Sequence, residues 1–303
     1  NLSINKIINR CQNGEINENN ISIIACYFPL FKILDKIPEI KSFCSSNHSF
    51  NELIKLQILE PLKEIDLSNK IKFLGSIKDK ISKKVKSQYE ENPYPRWRYG
   101  AYSIKNKINF YELINNDIKP NSIKYHNCKK KKNILIAGCG TGQQILNAIT
   151  YDNSKIICID LSLSSLAYAQ RKINELGIDN VELIEMDILE VALLEEEFDI
   201  IECSGVLHHM DDPSKGLESL LGILKDNGFL KLGLYSELAR QDIVKVRNYI
   251  TSKNLQANED SIREFREKLI SGELSNLNSL KTFGDFFSLS EFRDLCFHAQ
   301  EHR

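Results

Sequence analysis

The middle of the chain alternates between two apolar patterns, which predict strands and helices in turn. Mostly apolar runs of strand length lie at residues 134–137, 155–161, 181–188, 198–206 and 229–235. Between these runs, apolar residues recur at helical spacing, as in Leu166, Ala169 and Ile173. Because a strand buried on both faces reads as a continuous apolar run, the pattern predicts an α/β fold with a doubly wound, mainly parallel sheet of five strands.

The regions on either side of this core show helical spacing throughout. Ile71, Leu74 and similar positions keep that spacing up to about Glu90, and it returns after Tyr235. We therefore predict a helical N-terminal region over residues 1–90, a connector over 91–132, a ligand-binding α/β core over 133–235 and a helical C-terminal segment over 236–303.

A glycine-rich turn follows the first predicted strand, in the sequence ILIAGCGTGQQ that ends at Gln144. Gly138, Gly140 and Gly142 remove Cβ atoms where the backbone must turn sharply and a ligand must come close. A dinucleotide-binding fingerprint has glycine at the sixth position, which here is Gln143, and no Gly-Lys-Ser/Thr of a P-loop follows. The turn therefore indicates a nucleotide-like ligand without a pyrophosphate.

Acidic residues end the second and third predicted strands. Asp160 stands about 20 residues beyond the glycine turn, where an acidic side chain contacts ribose hydroxyls in such folds. Asp187 ends the next strand. An acid at a strand end is also a common helix cap. The glycine turn, both acids and the VLHH segment after the fourth strand together favour a cofactor site over isolated caps.

In this order, the motifs resemble those of class I S-adenosylmethionine-dependent methyltransferases. The resemblance is closest to a bacterial group that often carries tetratricopeptide repeats upstream. The segments that carry it are QYEENPYPRW at 88–97, VLHHMDDP at 206–213, GLYSELAR at 233–240 and the terminal FFSLSEFRDLCFHAQEHR. The resemblance implies S-adenosylmethionine as cofactor and methyl transfer by in-line displacement to a small-molecule or protein acceptor, which the sequence does not name.

The resemblance also implies where the cofactor binds. Asp160 is expected to bind the ribose and Asp187 the adenine amino group, with Ile188 beside the ring. Many family members carry an acid at the position of Ile136, so one polar contact to the cofactor's amino-acid end is in question. The predicted cofactor-binding residues are Gly138, Cys139, Gly140, Thr141, Gly142, Gln143, Asp160, Leu161, Asp187, Ile188 and Gly205.

The connector contains an unusual aromatic segment, residues 87–100, with two prolines and the only tryptophan. Its composition favours a rigid hydrophobic staple against the main domain over a substrate pocket. The resemblance instead implies that Tyr94, Arg96 and Trp97 lie near cofactor or substrate. The rings of Tyr94 and Trp97 are then hypothetical cation–π partners of the sulfonium.

Candidate catalytic residues follow the fourth and fifth strands. His208 and His209 lie at the carboxyl edge of the predicted sheet, where open α/β sheets place their sites. Either histidine suits removal of a proton from the acceptor, although both also suit a purely structural turn. Arg240 lies soon after the fifth strand, as a contact for an anionic acceptor or as a helix-surface residue. No third ligand stands nearby, so we predict no metal site.

Composition limits the partners that we expect. The chain has 40 basic and 41 acidic residues and a formal net charge of -1, which gives no general attraction to nucleic acid or to anionic membranes. The basic run 129–132 suits a solvated connector. No apolar run approaches the roughly 18 residues of a membrane span, and no signal peptide is apparent. The sequence leaves the oligomeric state open.

The cysteine pattern favours a cytoplasmic protein with reduced thiols. None of the 8 cysteines forms a C-x-x-C pair. Cys139 lies within the glycine turn, where packing is the stronger interpretation than a nucleophile. The cysteines are Cys11, Cys26, Cys44, Cys128, Cys139, Cys158, Cys203 and Cys296.

Two alternatives to an active methyltransferase remain. Class I methyltransferases usually add a sixth strand and an antiparallel seventh, and neither is predicted here, which leaves the fifth strand as a possible exposed edge. The chain also begins at Asn1 rather than Met, which favours a fragment. Together with Ile136, the missing strands suit a catalytically silent binding or regulatory module. A nicotinamide-dependent oxidoreductase is disfavoured by Gln143.

Overall fold

The computed structural model of the chain describes residues 2–100, 107–124 and 130–297. The chain divides into two compact units, Asn1–Lys70 and Ile71–Arg303. This boundary falls inside the predicted region 1–90, because the helix Lys80–Glu91 is part of the second unit. Cys128, Lys129 and the last six residues of the terminal motif, 298–303, lie outside the described residues.

Within residues 2–70, α-helices surround an apolar core that consists largely of isoleucine, including Ile21 and Ile37. Asn17 and Asn47 cap two of the helices, because their side chains accept hydrogen bonds from amides of the first turn. The helices are α1 (Leu2–Gln12), α2 (Glu18–Ala25), α3 (His48–Ile54) and α4 (Glu60–Ser68), with shorter turns at Leu30–Ile33, Pro38–Ser42 and Lys55–Leu59.

The second unit is built on a parallel sheet. Its described strands lie in the order β1-β4-β3-β2-β5-β6, and every neighbouring pair is parallel. The predicted doubly wound α/β sheet is therefore confirmed. The strands are β1 (Lys72–Phe73), β2 (Lys132–Ala137), β3 (Ser154–Asp160), β4 (Val181–Glu185), β5 (Phe198–Ser204) and β6 (Leu224–Gly233).

The short strand β1 corrects the prediction of continuous helix up to Glu90. Lys72 and Phe73 pair with the edge of β4, and the amide of Leu74 donates to the carbonyl of Glu185 at 3.1 Å. Local helical spacing is a weak preference, and the unpaired edge of β4 offers hydrogen bonds that a helix here would leave unused. The helical prediction was wrong at this point because it used local pattern alone.

Alternate residues of the central strands enter two separate apolar cores, one on each face of the sheet. Ile134 and Ile136 pack on one face, whereas Leu135 and Ala137 pack on the other. All four side chains are fully buried. This explains why β2 reads as a continuous apolar run rather than an alternating one.

Helices cover both faces of the sheet and continue after it. Ser162 caps one of them, and Gly177 ends it in the left-handed region at φ 66°. From residue 234 to Phe297 the described chain contains helices and turns but no strand, as predicted. The helices are α5 (Lys80–Glu91), α6 (Phe110–Asp117), α7 (Ile145–Ala148), α8 (Leu163–Leu176), α9 (Pro213–Leu221), α10 (Gln241–Ser252), α11 (Glu259–Ser271) and α12 (Leu289–Phe297), with 3-10 turns at Ile188–Leu194, Leu207–His209, Ser275–Thr282 and Gly284–Phe287.

Candidate active site

A cavity of about 220 Å³ opens at the carboxyl ends of β2, β3, β4 and β5. Open α/β sheets place their ligands at this edge. Most of the predicted cofactor-binding residues line the cavity: Gly138, Cys139, Gly140, Gln143, Asp160, Leu161, Asp187, Ile188 and Gly205. Thr141 and Gly142 are buried beside it and are not among the lining residues. One cavity thus collects residues from four strand ends.

Positive backbone φ angles shape the glycine turn after β2. Gly138, Gly140 and Gly142 have φ of 76°, 51° and 84°, a region that other residues rarely adopt. A Cβ on Gly142 would lie 2.9 Å from the Cβ of Ala169 on α8. The third glycine therefore allows the turn to pack directly against α8.

Asp160 is fixed at the end of β3 by the turn that it faces. Its carboxylate accepts hydrogen bonds from the amide of Gly140 at 2.8 Å and from the amide of Ser162 at 2.9 Å. Burial raises the pKa of Asp160 to about 6, against the opposing effect of these hydrogen bonds. The side chain therefore holds the turn in place and also presents an oriented carboxyl group to the cavity.

Asp187 combines a capping contact with a place in the cavity lining. Its carboxylate accepts a hydrogen bond from the amide of Leu189 at 3.1 Å, so it caps the short helical turn that follows β4. Burial raises the pKa of Asp187, while hydrogen bonds from Leu189 and Ser82 oppose the shift. The two interpretations of this acid, cap and cavity residue, are compatible in the structure.

The helix α5 supplies a wall of the cavity that sequence reasoning missed. Ser82 and Val85 line the cavity. At the other end of α5, the Glu90 carboxylate accepts hydrogen bonds from the amides of Leu163 at 2.7 Å and Ser164 at 3.0 Å. Because these amides open α8, Glu90 ties α5 to the core. The available signal was Glu90 within the QYEENPYPRW motif, but its partner lies 73 residues away.

The aromatic segment divides between the cavity and the packing behind the glycine turn. Trp97 is buried, and its indole N–H donates to the carbonyl of Thr141 at 3.0 Å. The Thr141 hydroxyl donates in turn to the carbonyl of Pro95. These are the contacts of a staple. Tyr94 and Pro95 line the cavity, whereas Trp97 is not among its lining residues.

Arg96 is also placed outside the cavity lining. Its side chain is exposed, and its guanidinium carbon lies 5.0 Å from the ring centroid of Tyr168 on α8. The Tyr168 hydroxyl donates to the carbonyl of Trp97. Arg96 and Tyr168 therefore belong to the packing that fixes the aromatic segment on α8.

The two predicted catalytic histidines occupy different positions in the 3-10 turn after β5. Both are buried, and His209 lines the cavity. His208 instead stacks on Tyr235 with ring centroids 3.8 Å apart. The guanidinium carbon of Arg240 lies 3.6 Å from the centroid of the same Tyr235 ring. Arg240 is not among the lining residues. Of this group, His209 and Tyr235 reach the cavity.

A buried pair of polar side chains was missed by sequence reasoning. Tyr89 and Asp294 line the cavity together, and the Tyr89 hydroxyl donates to the Asp294 carboxylate at 2.8 Å. Burial and the charge of Asp294 raise the pKa of Tyr89 well above its usual value. Both residues stand within the motifs of the resemblance. Nothing in their spacing indicates that they meet, because 205 positions separate them.

Cysteine and metal chemistry have little support in the described residues. A hydrogen bond to Cys158, with burial, raises the pKa of Cys139 well above its usual value, so its thiol is protonated at neutral pH. In the described ranges, no group of three or more His, Cys, Asp and Glu is arranged to hold a metal ion. A search of the same ranges finds no helix with the length and apolar character of a membrane span.

Known proteins are similar to the part of the chain that contains most of the cavity lining. Residues 128–276 match the family model Methyltransf_31, described as a methyltransferase domain. Over these residues the chain is similar to a methyltransferase domain. The match agrees with the class of enzyme that the sequence motifs resemble.

Several curated proteins are similar to part of this chain. An uncharacterized protein of Synechococcus is 38% identical over 119 residues, which cover 39% of this chain and 28% of that protein. The ubiquinone biosynthesis O-methyltransferase of Histophilus somni is 32% identical over 33% of this chain and 43% of its own length. An uncharacterized protein of Rickettsia prowazekii is 25% identical over 70% of this chain and 89% of its own.

Solved structures show similarity over a comparable range. The structure of PKMT2 from Rickettsia typhi in complex with AdoHcy is 25% identical, with a TM-score of 0.45, over 54% of this chain and 35% of that one. The chain thus spans less than half of the length of this protein and of two of the three relatives above.

Proposed function

We propose that this protein uses S-adenosylmethionine to methylate an acceptor bound in the cavity at the sheet edge. The observation that carries the proposal is the meeting of the glycine turn, Asp160 and Asp187 in one cavity. A turn with three glycines beside two carboxyl groups fits an adenosine-containing ligand that lacks phosphate. The similarity of residues 128–276 to a methyltransferase domain supports this proposal.

The lining residues provide a contact for each part of the adenosine. Asp160 already accepts two backbone hydrogen bonds, and a carboxylate has further lone pairs for the two ribose hydroxyls. Asp187 is suited to accept a hydrogen bond from the adenine amino group. Leu161 and Ile188 offer apolar surface on the same side of the cavity. No lysine or arginine is among the described lining residues, consistent with a ligand without phosphate.

Alignment and exclusion of water are the contributions expected from the protein. S-adenosylmethionine, when bound, supplies a methyl group on a sulfonium that leaves as a neutral thioether. The protein must hold the acceptor in line with that methyl group and keep water away. Five further lining residues, which we call the transfer end, are not assigned to the adenosine: Tyr89, Tyr94, His209, Tyr235 and Asp294.

The transfer end favours an acceptor with an amine nitrogen. Asp294 adds a third carboxylate to a lining without lysine or arginine, so an anionic acceptor would be repelled. Tyrosine rings offer their negative faces to a cation. Burial together with Asp285 and Asp294 raises the pKa of Tyr94, so its ring stays uncharged at neutral pH. The alternative use of Arg240 for an anionic acceptor loses support because Arg240 covers the Tyr235 ring.

Two residues of the transfer end are suited to accept a proton from the acceptor. His209 lies at the sheet edge after β5, and Asp294 reaches the cavity from α12. A general base must lie beside the reacting group, and both residues line the cavity in which the acceptor is proposed to bind. His208, stacked on Tyr235, is suited to position that ring rather than to touch the acceptor.

Calorimetry with three ligands tests the proposed function. We expect S-adenosylhomocysteine and S-adenosylmethionine to bind one to one and to compete with each other, while NAD does not bind at the same concentration. Failure of both sulfur compounds to bind would contradict the proposal, and tight NAD binding would favour an oxidoreductase. Binding without methyl transfer to any acceptor would instead favour a silent binding module.

A further inference from the structure

The amino-acid end of S-adenosylmethionine carries an ammonium group that needs a hydrogen-bond acceptor once it is buried. The end of β2, where Ile136 lies, offers no polar side chain for this ammonium group. Ile136 is fully buried in the apolar core on one face of the sheet. The acid nearest to it across the sheet is Glu202, which is buried and accepts a hydrogen bond from the Tyr151 hydroxyl at 2.9 Å. Glu202 is not among the cavity lining.

Gln144 lines the cavity at the end of the glycine turn and has an acceptor atom to spare. Its Nε2 donates to the carbonyl of Ser204 at 3.2 Å, at the end of β5. Its Oε1 is buried and has no hydrogen-bond partner among the described residues. Because the amide nitrogen of Gln144 is bound to Ser204, the atom that remains available is the amide oxygen, which accepts hydrogen bonds.

A buried acceptor without a partner is costly, which makes its place in this cavity informative. The cost is about 1–3 kcal/mol, and nearly all buried polar groups in folded proteins are satisfied. Ser165 is the other lining residue with a buried side-chain atom that has no hydrogen-bond partner among the described residues. It lies on α8, next to the segment of Asp160. Ser165 is therefore on the adenosine side. Gln144, bound to the end of β5, is on the opposite side of the glycine turn.

We propose that Gln144 binds the α-ammonium group of the cofactor through Oε1, in place of an acidic side chain at Ile136. This inference rests on the proposed function, because it assigns one contact of the same cofactor. The Ser204 carbonyl fixes the amide, so the acceptor is oriented before the ligand arrives. A neutral amide oxygen that accepts from a cation makes a charge-assisted hydrogen bond.

Two ligands that differ only at the amino-acid end test this assignment. S-adenosylhomocysteine carries the ammonium, whereas 5′-methylthioadenosine has the same adenosine and thioether without the amino-acid group. Calorimetry would measure both affinities for the intact chain and for Gln144→Met, which keeps the side-chain length but removes the amide. We expect Gln144→Met to weaken S-adenosylhomocysteine about 10-fold and to leave 5′-methylthioadenosine within about twofold.

Two further variants complete the test. Gln144→Glu restores an acidic acceptor and is expected to bind S-adenosylhomocysteine at least as tightly as the original chain. Gln170→Met, a surface change on α8 where the amide contacts Asn174, controls for the substitution itself.

The possible results separate this inference from the proposed function. Equal weakening of both ligands by Gln144→Met would mean that Gln144 only supports the fold, and unchanged binding of both would remove it from the site. Either result overturns the inference and leaves the proposed function standing. If neither ligand binds the original chain, both fail.

Discussion

The two ends of the cavity are built in different ways, and the difference shows which parts of a site can be found from sequence. The cofactor end comes from the glycine turn, Asp160 and Asp187, which follow consecutive strands of one sheet. The transfer end brings together residues from α5, the aromatic segment, the segments that follow β5 and β6, and α12. Its Tyr89–Asp294 contact joins positions 205 residues apart. A cofactor pocket of this kind is a local property of the sheet edge, whereas acceptor selection depends on distant elements.

The largest effect is expected at the cofactor end, from Asp160→Ala. The substitution removes the acceptor assigned to the ribose, the hydrogen bond from Gly140 that holds the glycine turn, and the hydrogen bond from Ser162. Hydrogen bonds to a charged group contribute about 1.5–3 kcal/mol, so we expect affinity for S-adenosylhomocysteine to fall about 100-fold. Calorimetry would measure it. The exposed acid Asp179, changed to alanine, should leave the affinity unchanged; an equal loss in both variants would rule out a specific role for Asp160.

The glycine turn should lose stability when Gly142 becomes alanine, by about 2 kcal/mol or more in the free energy of unfolding. The new Cβ combines a backbone strain of about 1–3 kcal/mol with a contact 2.9 Å from Ala169. Gly177 also has positive φ, at 66°, but its Cβ would meet nothing within 4 Å. Denaturant unfolding of Gly142→Ala and Gly177→Ala would separate strain from collision. Equal destabilisation of both variants would contradict the packing argument.

The cofactor end should also respond to pH between about 5 and 7. Burial raises the pKa of Asp160 to about 6, so below that pH the ligand-free carboxyl group binds a proton and loses an acceptor for ribose. Affinity for S-adenosylhomocysteine should therefore be constant above pH 7 and fall by up to about tenfold per pH unit below pH 6. Asp160→Asn should remove this dependence. A profile that is identical in both proteins would assign the pH effect to another group.

The same pKa has a consequence for stability in the absence of ligand. The folded-state pKa of Asp160 lies above its unfolded value, so the protein gains stability from this group at low pH. That contribution is lost as the pH rises from about 4 to about 6. S-adenosylhomocysteine should therefore stabilise the protein more at pH 7 than at pH 5.

A smaller effect is expected at the transfer end, and it should appear as a change in selectivity. Sinefungin resembles S-adenosylhomocysteine but carries an amine at the position of the transferred methyl group. If Asp294 favours a cation there, the intact protein should prefer sinefungin, and Asp294→Asn should reduce that preference about fivefold while S-adenosylhomocysteine binds as before. Competition calorimetry measures the ratio. No preference in the intact protein would argue against an amine acceptor.

The sheet and its ligand edge were accessible from sequence because each depends on neighbouring residues. Continuous apolar runs such as Ile134–Ala137 identify strands buried on both faces, and the turn at Gly138 follows directly. The cap and cavity interpretations of Asp187 did not need to be separated, because its carboxyl group caps a turn and the residue also lines the cavity.

Other parts of the structure depend on contacts that local pattern does not encode. The two-residue strand β1 forms only because the edge of β4 is available beside Lys72 and Phe73. Trp97 lies behind the glycine turn because Thr141 offers its carbonyl there. The composition of the aromatic segment favoured a staple. It could not show that Trp97 packs behind the glycine turn while Tyr94 lines the cavity. Gln144, next to Gln143, was not predicted as a binding residue. Its amide oxygen is seen to lack a partner only when the position of the Ser204 carbonyl is known.

A crystal structure of the complex with S-adenosylhomocysteine tests the central claim most directly. The proposed arrangement requires the ribose hydroxyls within hydrogen-bond distance of Asp160, the adenine beside Asp187, and the sulfur directed toward Tyr94 and Asp294. Density for the ligand outside this cavity, or for adenine among the residues of the transfer end, would contradict it.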